Sequence, residues 1–435
     1  MKILFIAYHY PPDPAVGAIR PGRIARFLAG RGHQIHVISS PLAGEHGSAP
    51  TPGVTVDRVQ PWLDPRATYA RLKGRLTGRA AVPVASDGAA AVTLDWTPPA
   101  HTPFWKRHLF AALWLPDDRQ GWLAAAIRSG HQLAAHGFDV LYTSAPPYSV
   151  HISGLMIRRR MKRARWIAEF RDPWTDNPWK PAFVRTRWSD AVDRSLERRC
   201  LQRADHVVAV TESVAALFRS RRGIDAGKIV VIRNGIDVPA HITPATGPGN
   251  GRILYVGNLY HARDPRPFLR GMAELHRNAQ LPAGIGVDFV GACSHFQGVD
   301  IRAFAGDLGI ASIVNIQPPV PHDVCLAMMR EASVLLLLAQ DQPLQVPNKL
   351  YEYLAAGRQI LAIADEQGET ARMLAEVGGH QIVDGLDDAS LRAAIVAALR
   401  ADGAGRRAMD KLAEWSAREQ LERLARLVER GTAEP

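Results

Sequence analysis

Short, wholly apolar runs recur along the chain, separated by segments with helical spacing. In the clearest, SVLLLLA (333–339), polar residues do not alternate, which is typical of a strand buried on both faces of a parallel sheet. A polar loop and the segment VPNKLYEYLAAG follow. There Leu350 and Leu354 form an apolar stripe, Pro347 can open the helix, and Gly357 can end it. Strand, loop, helix and a further strand, QILAIA, indicate an α/β fold.

The same alternation runs through both halves of the chain. Further strands are predicted at 2–8, 33–40, 139–145, 166–170, 206–211 and 229–235, and then at 252–259, 286–292, 313–320 and 380–385. The Pro/Gly/Thr-rich stretch 236–251 has the composition of a linker. We therefore expect two doubly wound, Rossmann-like domains that face each other across a cleft, at 1–238 and 239–410. A charged helix, 411–431, is expected to pack back on the first domain through its apolar stripe.

Composition restricts the class of protein. Cysteine is rare and scattered, at Cys200, Cys293 and Cys325, which gives neither a metal spacing nor a disulfide framework and favours a reducing cytoplasm. The N-terminal apolar run is too short for a signal peptide, and Pro11 and Pro12 interrupt it. No segment approaches the roughly 20 apolar residues that a membrane-spanning helix needs.

Positive charge is concentrated in the first half. Residues 1–210 hold 29 Lys/Arg and 16 Asp/Glu, a net charge of +13, whereas the remaining residues have a net charge of −2. Nucleic acid is disfavoured because the basic run RRRMKRAR (158–165) has no interleaved aromatics and no recognition motif beside it. That run is either a solvated helix end or part of a lipid-facing surface. The basic helix candidate 69–80 and the aromatic segment 103–115, with Trp105, Phe110 and Trp114, predict attachment to an anionic membrane; the competing interpretation places these aromatics in the core.

Lys349 and Glu352 stand three apart, directly after a buried strand. Ligands of open parallel sheets bind at the carboxyl ends of strands, beside helix N-termini. The pair is therefore either a binding site or a solvated ion pair worth roughly 0.2–0.5 kcal/mol. The residues of this stretch alone leave both interpretations open.

Several stretches, in a fixed order, resemble a known family. They are ILFIAYHYPPDPAVGAIRPGRIARFLAGRGHQIHVIS, WIAEFRDPWTDNP, ADHVVAVTESVAALF, KIVVIRNGID, ILYVGNLYHARDPRPFLRGMAEL and VPNKLYEYLAAGRQIL. The chain resembles GT-B glycosyltransferases of the family 4 type, which transfer a sugar from a nucleotide donor with retention of configuration. The resemblance implies an acceptor site in the first domain, a donor site in the second, and no metal or other cofactor.

The resemblance also assigns residues. Gly17 matches the glycine of the first βα loop, which faces the donor phosphates, and Gly257 matches the glycine that ends the first strand of the donor domain. Glu352 matches the second glutamate of a Glu-x7-Glu motif that holds the donor ribose. Lys349 can then add charge to the diphosphate beside free helix amides.

The chain also departs from the family pattern. The first glutamate of the motif is replaced by Leu344, so Gln342 or Gln345 would have to contact the donor sugar. Asn258 stands where arginine is usual, so the phosphates would be held from that loop by His261 or Arg263. The histidine usual after the LYTSA strand is not evident.

The remaining candidates lie in the first domain. Arg171 and Asp172 follow a strand; Arg171 is predicted to fix the loop, whereas Asp172 either does the same or acts on the acceptor hydroxyl. His9 and His151 are predicted to be structural. We predict a metal-independent, retaining hexosyltransferase that uses a nucleotide-sugar and a saccharide or lipid-linked acceptor in cell-surface polysaccharide or glycolipid assembly. It would work in the cytoplasm or on the inner face of its membrane. The alternatives are a nucleotide-sugar epimerase of the same fold and a degenerate basic binding protein.

Overall fold

A computed structural model describes residues 1–42, 51–61, 103–237, 247, 249–401 and 409–430. These residues form two compact units, Met1–Ile232 with Arg423–Pro435, and Arg233–Glu422. The sequence predicted 1–238 with the helix 411–431 for the first and 239–410 for the second. The basic helix predicted at 69–80 and most of the linker predicted at 236–251 lie outside the described residues.

The first unit is built on one parallel sheet. In chain order its elements are β1 (Lys2–Ile6), α1 (Val16–Gly30), β2 (Gln34–Ser39), β3 (Val54–Arg58), α2 (Phe104–Trp114), α3 (Gln120–Leu133), β4 (Val140–Ala145), α4 (Ser149–Ile157), β5 (Arg165–Phe170), α5 (Arg187–Arg203), β6 (His206–Ala209), α6 (Glu212–Arg222) and β7 (Ile229–Val231). The strand order β3-β2-β1-β4-β5-β6-β7 reverses between β1 and β4, where Ile3 pairs with Val140. Ligands of doubly wound sheets bind beside such a reversal.

The second unit repeats this plan. Its elements are β8 (Arg252–Val256), α7 (Arg266–Arg277), β9 (Gly286–Val290), the hairpin β10 (His295–Phe296) and β11 (Val299–Asp300), α8 (Ile301–Asp307), β12 (Val314–Gln317), α9 (His322–Glu331), β13 (Val334–Ala339), α10 (Lys349–Ala356), β14 (Gln359–Ala364), α11 (Glu369–Val377), β15 (Gln381–Val383), α12 (Asp388–Arg400) and α13 (Met409–Glu414). Its parallel sheet has the order β12-β9-β8-β13-β14-β15, which reverses between β8 and β13. The predicted α/β class and doubly wound topology are confirmed.

The apolar runs become the central strands because helices cover both sheet faces. Every residue of β4, β13 and β14 is buried, as continuous apolar runs predict. In the second unit, Leu336 and Leu338 pack with α7 and α12 on one face, while Leu335 and Leu337 pack with α10 and α11 on the other. The predicted stripe residues Leu350 and Leu354 are buried in this second cluster.

The last helix, α14 (Ala417–Glu429), follows α13 after a break at Trp415 and Ser416. The sequence predicted one helix over 411–431, and the break shows that this is wrong, because the chain at 415–417 pairs with Ile236. Ile236 N donates to Trp415 O at 2.7 Å, and Ala417 N donates to Ile236 O at 2.8 Å. Farther along α14, Glu429 accepts from Arg31 Nε at 2.9 Å, within the first unit.

Two predicted helix starts and one strand need correction. Helix α10 begins at Lys349, not at Pro347, because Asn348 is its N-cap. Helix α1 begins at Val16 and contains Pro21, so it starts earlier than a Gly17 in the preceding loop would allow. Gly17 therefore lies in the first helical turn rather than in a loop. Strand β3 is absent from the strands that the sequence predicts, and its side chains are only partly buried. None of the helices in the described ranges is both long and apolar enough to span a membrane.

Candidate functional site

Lys349 opens α10 at the carboxyl end of the second sheet, beside the reversal between β8 and β13. Its ammonium donates to Val256 O at 3.1 Å and lies 3.7 Å from the centre of the Tyr255 ring. Burial, followed by the nearby positive charge of Arg263, lowers the pKa of Lys349 well below its ordinary value. A cation at a helix N-terminus also opposes the helix dipole. This arrangement is unfavourable for the protein alone, and a bound anion would relieve it.

Arg263 brings a second positive charge to the same strand end. It follows β8, and its guanidinium lies over the Tyr260 ring at 4.2 Å. Its Nε is buried and has no hydrogen-bond partner among the described residues. Its charge also contributes to the lowered pKa of His261, after burial. Arg263 and Lys349 thus form a cationic pair with donor capacity to spare, as a diphosphate site requires.

Gly257 ends β8 beneath this pair. Its φ of +125° disfavours any side chain, and a Cβ there would lie 3.4 Å from the Lys349 ammonium. Asn258 acts locally, because its Oδ1 accepts from Ala292 N at 3.0 Å and its carbonyl accepts from Tyr255. The structure therefore places Gly257 and Arg263 beside Lys349, whereas Asn258 braces the neighbouring loop.

Glu352 does not pair with Lys349, so the solvated ion pair that the spacing allowed is not formed. Its Oε1 lies 2.9 Å from Nε2 of His322, which opens α9 at the carboxyl side of β12. His322 and Glu352 are 63% and 29% exposed, so the carboxylate is accessible and held only by a surface partner. Sequence reasoning missed His322 because 30 residues separate the two side chains. The polar start of a helix after a strand was the only available signal.

The first turn of α10 is partly closed. Leu350 N donates to Pro347 O at 2.9 Å and Tyr351 N to Asn348 O at 3.1 Å. The expectation of free first-turn amides is therefore wrong for these two residues. An anion at this end would depend mainly on the Lys349 side chain and on the field of the helix.

The loop between β13 and α10 carries the two glutamines that were expected to replace the missing glutamate. Gln342 and Gln345 are both buried, and Leu344 is half-buried. Nε2 of Gln342 has no hydrogen-bond partner within the described part of the chain. A buried amide without a partner is costly, so a hydroxyl-bearing ligand at this loop would satisfy it.

Gly17 lies at the corresponding edge of the first sheet, and Arg171 fixes its position. Pro21 has no N–H, so the carbonyl four residues earlier, that of Gly17, lacks its usual helical donor. Nη1 of Arg171 donates to that oxygen at 2.7 Å. Nε and Nη2 of Arg171 donate to Ala145 O at 3.2 Å and Pro146 O at 2.6 Å. Arg171 thus ties together the chain segments that follow β1, β4 and β5.

Asp172 and the histidines surround this fixed edge. Asp172 is half-buried directly after Arg171. His9 Nδ1 lies 2.7 Å from Asp13 Oδ2, and a Cβ on Gly17 would lie 3.3 Å from the His9 ring. His151 is fully buried, and burial lowers its pKa to about 3, so it is neutral; its Nδ1 lies 2.9 Å from Thr143 Oγ1. These contacts give His151 a structural role and leave His9 half-exposed beside Gly17.

A buried carboxylate that sequence reasoning missed supports the same edge. Glu169 on β5 is wholly buried and receives two donors of Arg20 on Oε1, at 2.9 and 2.7 Å. Tyr142 and Ser144 also donate to it, at 2.9 and 2.5 Å. Burial raises the pKa of Glu169, but Arg20 and the hydroxyl donors outweigh this and lower it overall. The network is saturated, so Glu169 serves the fold.

Comparisons with known proteins agree with this architecture. Sucrose-phosphate synthase from Thermosynechococcus elongatus superposes with a TM-score of 0.65 at 15% identity, covering 98% of both chains. HepE from Anabaena, in complex with UDP-glucose, has a TM-score of 0.56 at 13% identity and covers 98% of this chain and 99% of its own. The lipopolysaccharide outer core galactosyltransferase WaaB has a TM-score of 0.59 at 12% identity, with 98% and 99% covered.

The chain has the GT-B fold. Within it, the Glycosyltransferase Family 4 profile matches residues 90–239. A curated relative, D-inositol 3-phosphate glycosyltransferase from Pseudarthrobacter chlorophenolicus, is 25% identical over 151 residues, 32% of this chain. The match spans about a third of that relative's length, 36%. The resemblance to GT-B glycosyltransferases of the family 4 type is thereby confirmed.

Proposed function

We propose that this GT-B protein is a glycosyltransferase that uses a nucleotide-sugar donor, held by the second unit at the carboxyl end of its sheet. The observation that carries the proposal is the cationic pair formed by Lys349, at the start of α10, and Arg263, in the loop after β8. Such a pair is costly without an anion and suits a diphosphate. HepE, which shares the fold, has been solved with UDP-glucose and with UDP, which supports this donor class.

Each residue has a defined task in this proposal. Lys349 and Arg263 hold the diphosphate, Gly257 lets it approach the backbone, and Glu352 accepts hydrogen bonds from the ribose hydroxyls. During transfer the bond between the sugar carbon and the phosphate oxygen breaks, and a bond to the acceptor oxygen forms. Negative charge then develops on the departing diphosphate. Preorganised cations stabilise that charge most strongly, so we propose that no metal ion is needed.

The acceptor side is assigned to the first unit. Arg171 holds Gly17 in place, and Asp172 and the His9–Asp13 pair stand beside it as candidates to receive the proton of the acceptor hydroxyl. We propose a saccharide or lipid-linked acceptor in cell-surface polysaccharide or glycolipid assembly and, as for the family 4 type, retention of configuration. The structural similarity to WaaB, a lipopolysaccharide outer core galactosyltransferase, supports an acceptor of this kind. The basic charge of residues 1–210 favours work at the inner face of the cytoplasmic membrane.

The test is turnover. The purified full-length chain is incubated with a panel of nucleotide-sugars, with and without sugar and lipid-linked acceptors, and released nucleoside diphosphate is measured. A transferase releases it faster when an acceptor is present, and the anomeric configuration of the product reports retention. Chelator should leave the rate unchanged.

A pair of variants tests whether the measured turnover comes from the candidate site or from a contaminating enzyme. Lys349→Met should abolish most turnover, whereas Leu386→Ser, at an exposed apolar position in the same unit, should retain it. Conversion of the donor to an isomer without acceptor would establish an epimerase instead. Binding of the donor without any turnover would establish a degenerate binding protein.

A further inference from the structure

Helix α2 presents an apolar face to solvent. Phe104, Trp105 and Leu109 are 77%, 62% and 36% exposed, large fractions for side chains of this kind. Placed on a helix at about 100° per residue, they occupy one arc of roughly 140°, together with His108 and Ala112. The opposite side carries the half-buried Phe110 and Trp114, and buried Ala111 lies about 20° outside the arc, beside Phe104. The helix packs against the turn Ala182–Val184.

The structure places the aromatic side chains of α2 differently from the sequence-based prediction. Trp105 is on the exposed arc as predicted, whereas Phe110 and Trp114 are half-buried and lie on the other side of the helix. Phe104 and Leu109 take their places on the exposed arc. The face is therefore continuous, and its large side chains project from the surface.

Positive charge flanks the apolar arc, with buried Ala111 between the arc and Arg107 and half-buried Leu113 between the arc and Lys106. Arg107 lies roughly 60° before one edge of the arc and Lys106 roughly 60° beyond the other. The Lys106 ammonium is 5.4 Å from the Trp105 ring centre. The helix contains no acidic residue. An aromatic arc bordered by cations is the pattern of a helix that lies in the plane of a membrane interface.

The position of α2 is also informative. After α2, Asp117 Oδ2 accepts from Ser149 N at 2.6 Å, which ties this end of the helix to the start of α4, at the carboxyl end of β4. Gly17 and Arg171 lie at the same sheet edge. The basic run 158–165 precedes β5 and so lies at the amino edge, and its Arg165 is committed to carbonyls of α14. Within the described residues, α2 combines exposed aromatics with charge at the edge of the candidate acceptor loops; exposed Trp188, beside Arg187 at the start of α5, is a further aromatic after β5.

We propose that α2 docks on an anionic lipid surface, with Phe104, Trp105 and Leu109 entering the interface and Lys106 and Arg107 contacting the headgroups. A second copy of the chain fits less well, because a twofold contact would bring these cations opposite each other. The proposal rests on the proposed function only for its purpose, which is to hold the acceptor side of the protein at lipid.

The test is flotation of the full-length protein with vesicles of phosphatidylcholine, alone or mixed with phosphatidylglycerol. At low salt the protein should float with the anionic vesicles and remain below with the neutral ones, and added salt should weaken binding. Phe104→Ser with Trp105→Ser should lower the bound fraction at least about tenfold. Lys106→Gln with Arg107→Gln should remove the preference for anionic vesicles.

Leu386→Ser is the matched control, because Leu386 is an exposed apolar residue of the second unit, 88% accessible. It should float like the parent protein. Failure of the parent protein to bind anionic vesicles, or equal binding by the Phe104/Trp105 variant, overturns the proposal. A dimer in sedimentation that this variant dissociates overturns it in favour of self-association. Turnover without vesicles should be the same in all variants, so failure here is distinguishable from failure of the proposed function.

Discussion

The carboxyl edges of the two sheets both carry buried or enclosed cations, but they use them in opposite ways. In the first unit, Arg171 donates from Nε, Nη1 and Nη2 to three backbone carbonyls. In the second, Lys349 has one carbonyl acceptor, and Nε of Arg263 has no described partner. A cation whose nitrogen atoms all donate to the backbone, as those of Arg171 do, stabilises the fold. A cation with spare donors, next to another cation, is suited to a ligand.

Arg171 should have the largest effect on stability. Arg171→Met removes three charge-assisted hydrogen bonds and leaves the Gly17 carbonyl without a helical donor, because Pro21 cannot supply one. We expect the free energy of unfolding of the first unit to fall by at least about 3 kcal/mol. Hydrogen exchange of β1, β4 and β5 amides reports this unit separately from the other.

If Arg171 serves only the fold, its replacement should leave the affinity for the donor nucleotide unchanged. Nucleoside diphosphate affinity of Arg171→Met, measured below its unfolding temperature, should equal that of the parent protein. Arg171→Lys should fall between the two in stability, since one ammonium cannot reach all three carbonyls. If Arg171→Met is as stable as the parent protein, the hydrogen bonds of Arg171 to the three carbonyls do not stabilise the carboxyl edge of the first sheet.

Glu352 should have the largest effect on donor affinity. Glu352→Ala removes a charged acceptor worth about 1.5–3 kcal/mol, so nucleoside diphosphate should bind roughly 10- to 100-fold more weakly. Isothermal titration measures this directly. His322→Ala is the control, because it removes the partner and leaves the carboxylate. Equal losses in both variants would mean that the pair, rather than Glu352 itself, shapes the site.

Lys349 should show the opposite stability behaviour to Arg171. Lys349→Met removes an enclosed ammonium that opposes both Arg263 and the helix dipole, so thermal stability should stay level or rise. Donor affinity should fall about tenfold, as for loss of one charge-assisted contact. Melting curves and titration on one preparation give both values. A lower melting temperature would class Lys349 with Arg171 as a structural cation.

How far the sequence could predict these two edges depends on the range of the interactions. The strands β4, β13 and β14 follow from their own apolar runs, and Gly357 ends α10 with a φ of +72°, as its position indicated. The start of α1 could not be predicted, because Arg171, 154 residues away, supplies the donor that Pro21 lacks. For the same reason the partner of Glu352 was missed. Which cations have spare donors is decided only by these distant contacts.

Proton uptake on donor binding should sharpen the comparison further, although its effect is the smallest. Burial and Arg263 lower the pKa of Lys349 in the free protein, so its ammonium loses its proton at a lower pH than an ordinary lysine does. A bound diphosphate favours the ammonium and raises that pKa, so binding takes up a fraction of a proton. Affinity should therefore fall as the pH rises from the free-state pKa to the bound-state pKa, by at most about tenfold per pH unit.

Titration of nucleoside diphosphate in two buffers of different ionisation enthalpy, at the same pH, measures that uptake. The ligand phosphate itself titrates near pH 6, so the measurements belong at pH 8 and above, where it is fully ionised. Lys349→Met should abolish the difference between buffers, because among the described residues Lys349 is the lysine at this end of the sheet whose pKa is lowered by burial. Arg171→Met should retain it in full, since that guanidinium belongs to the other unit. If proton uptake persists in Lys349→Met, another group takes up the proton, and His261 is the next one to test. Lys349 would then be charged in both the free and the bound protein, like Arg171.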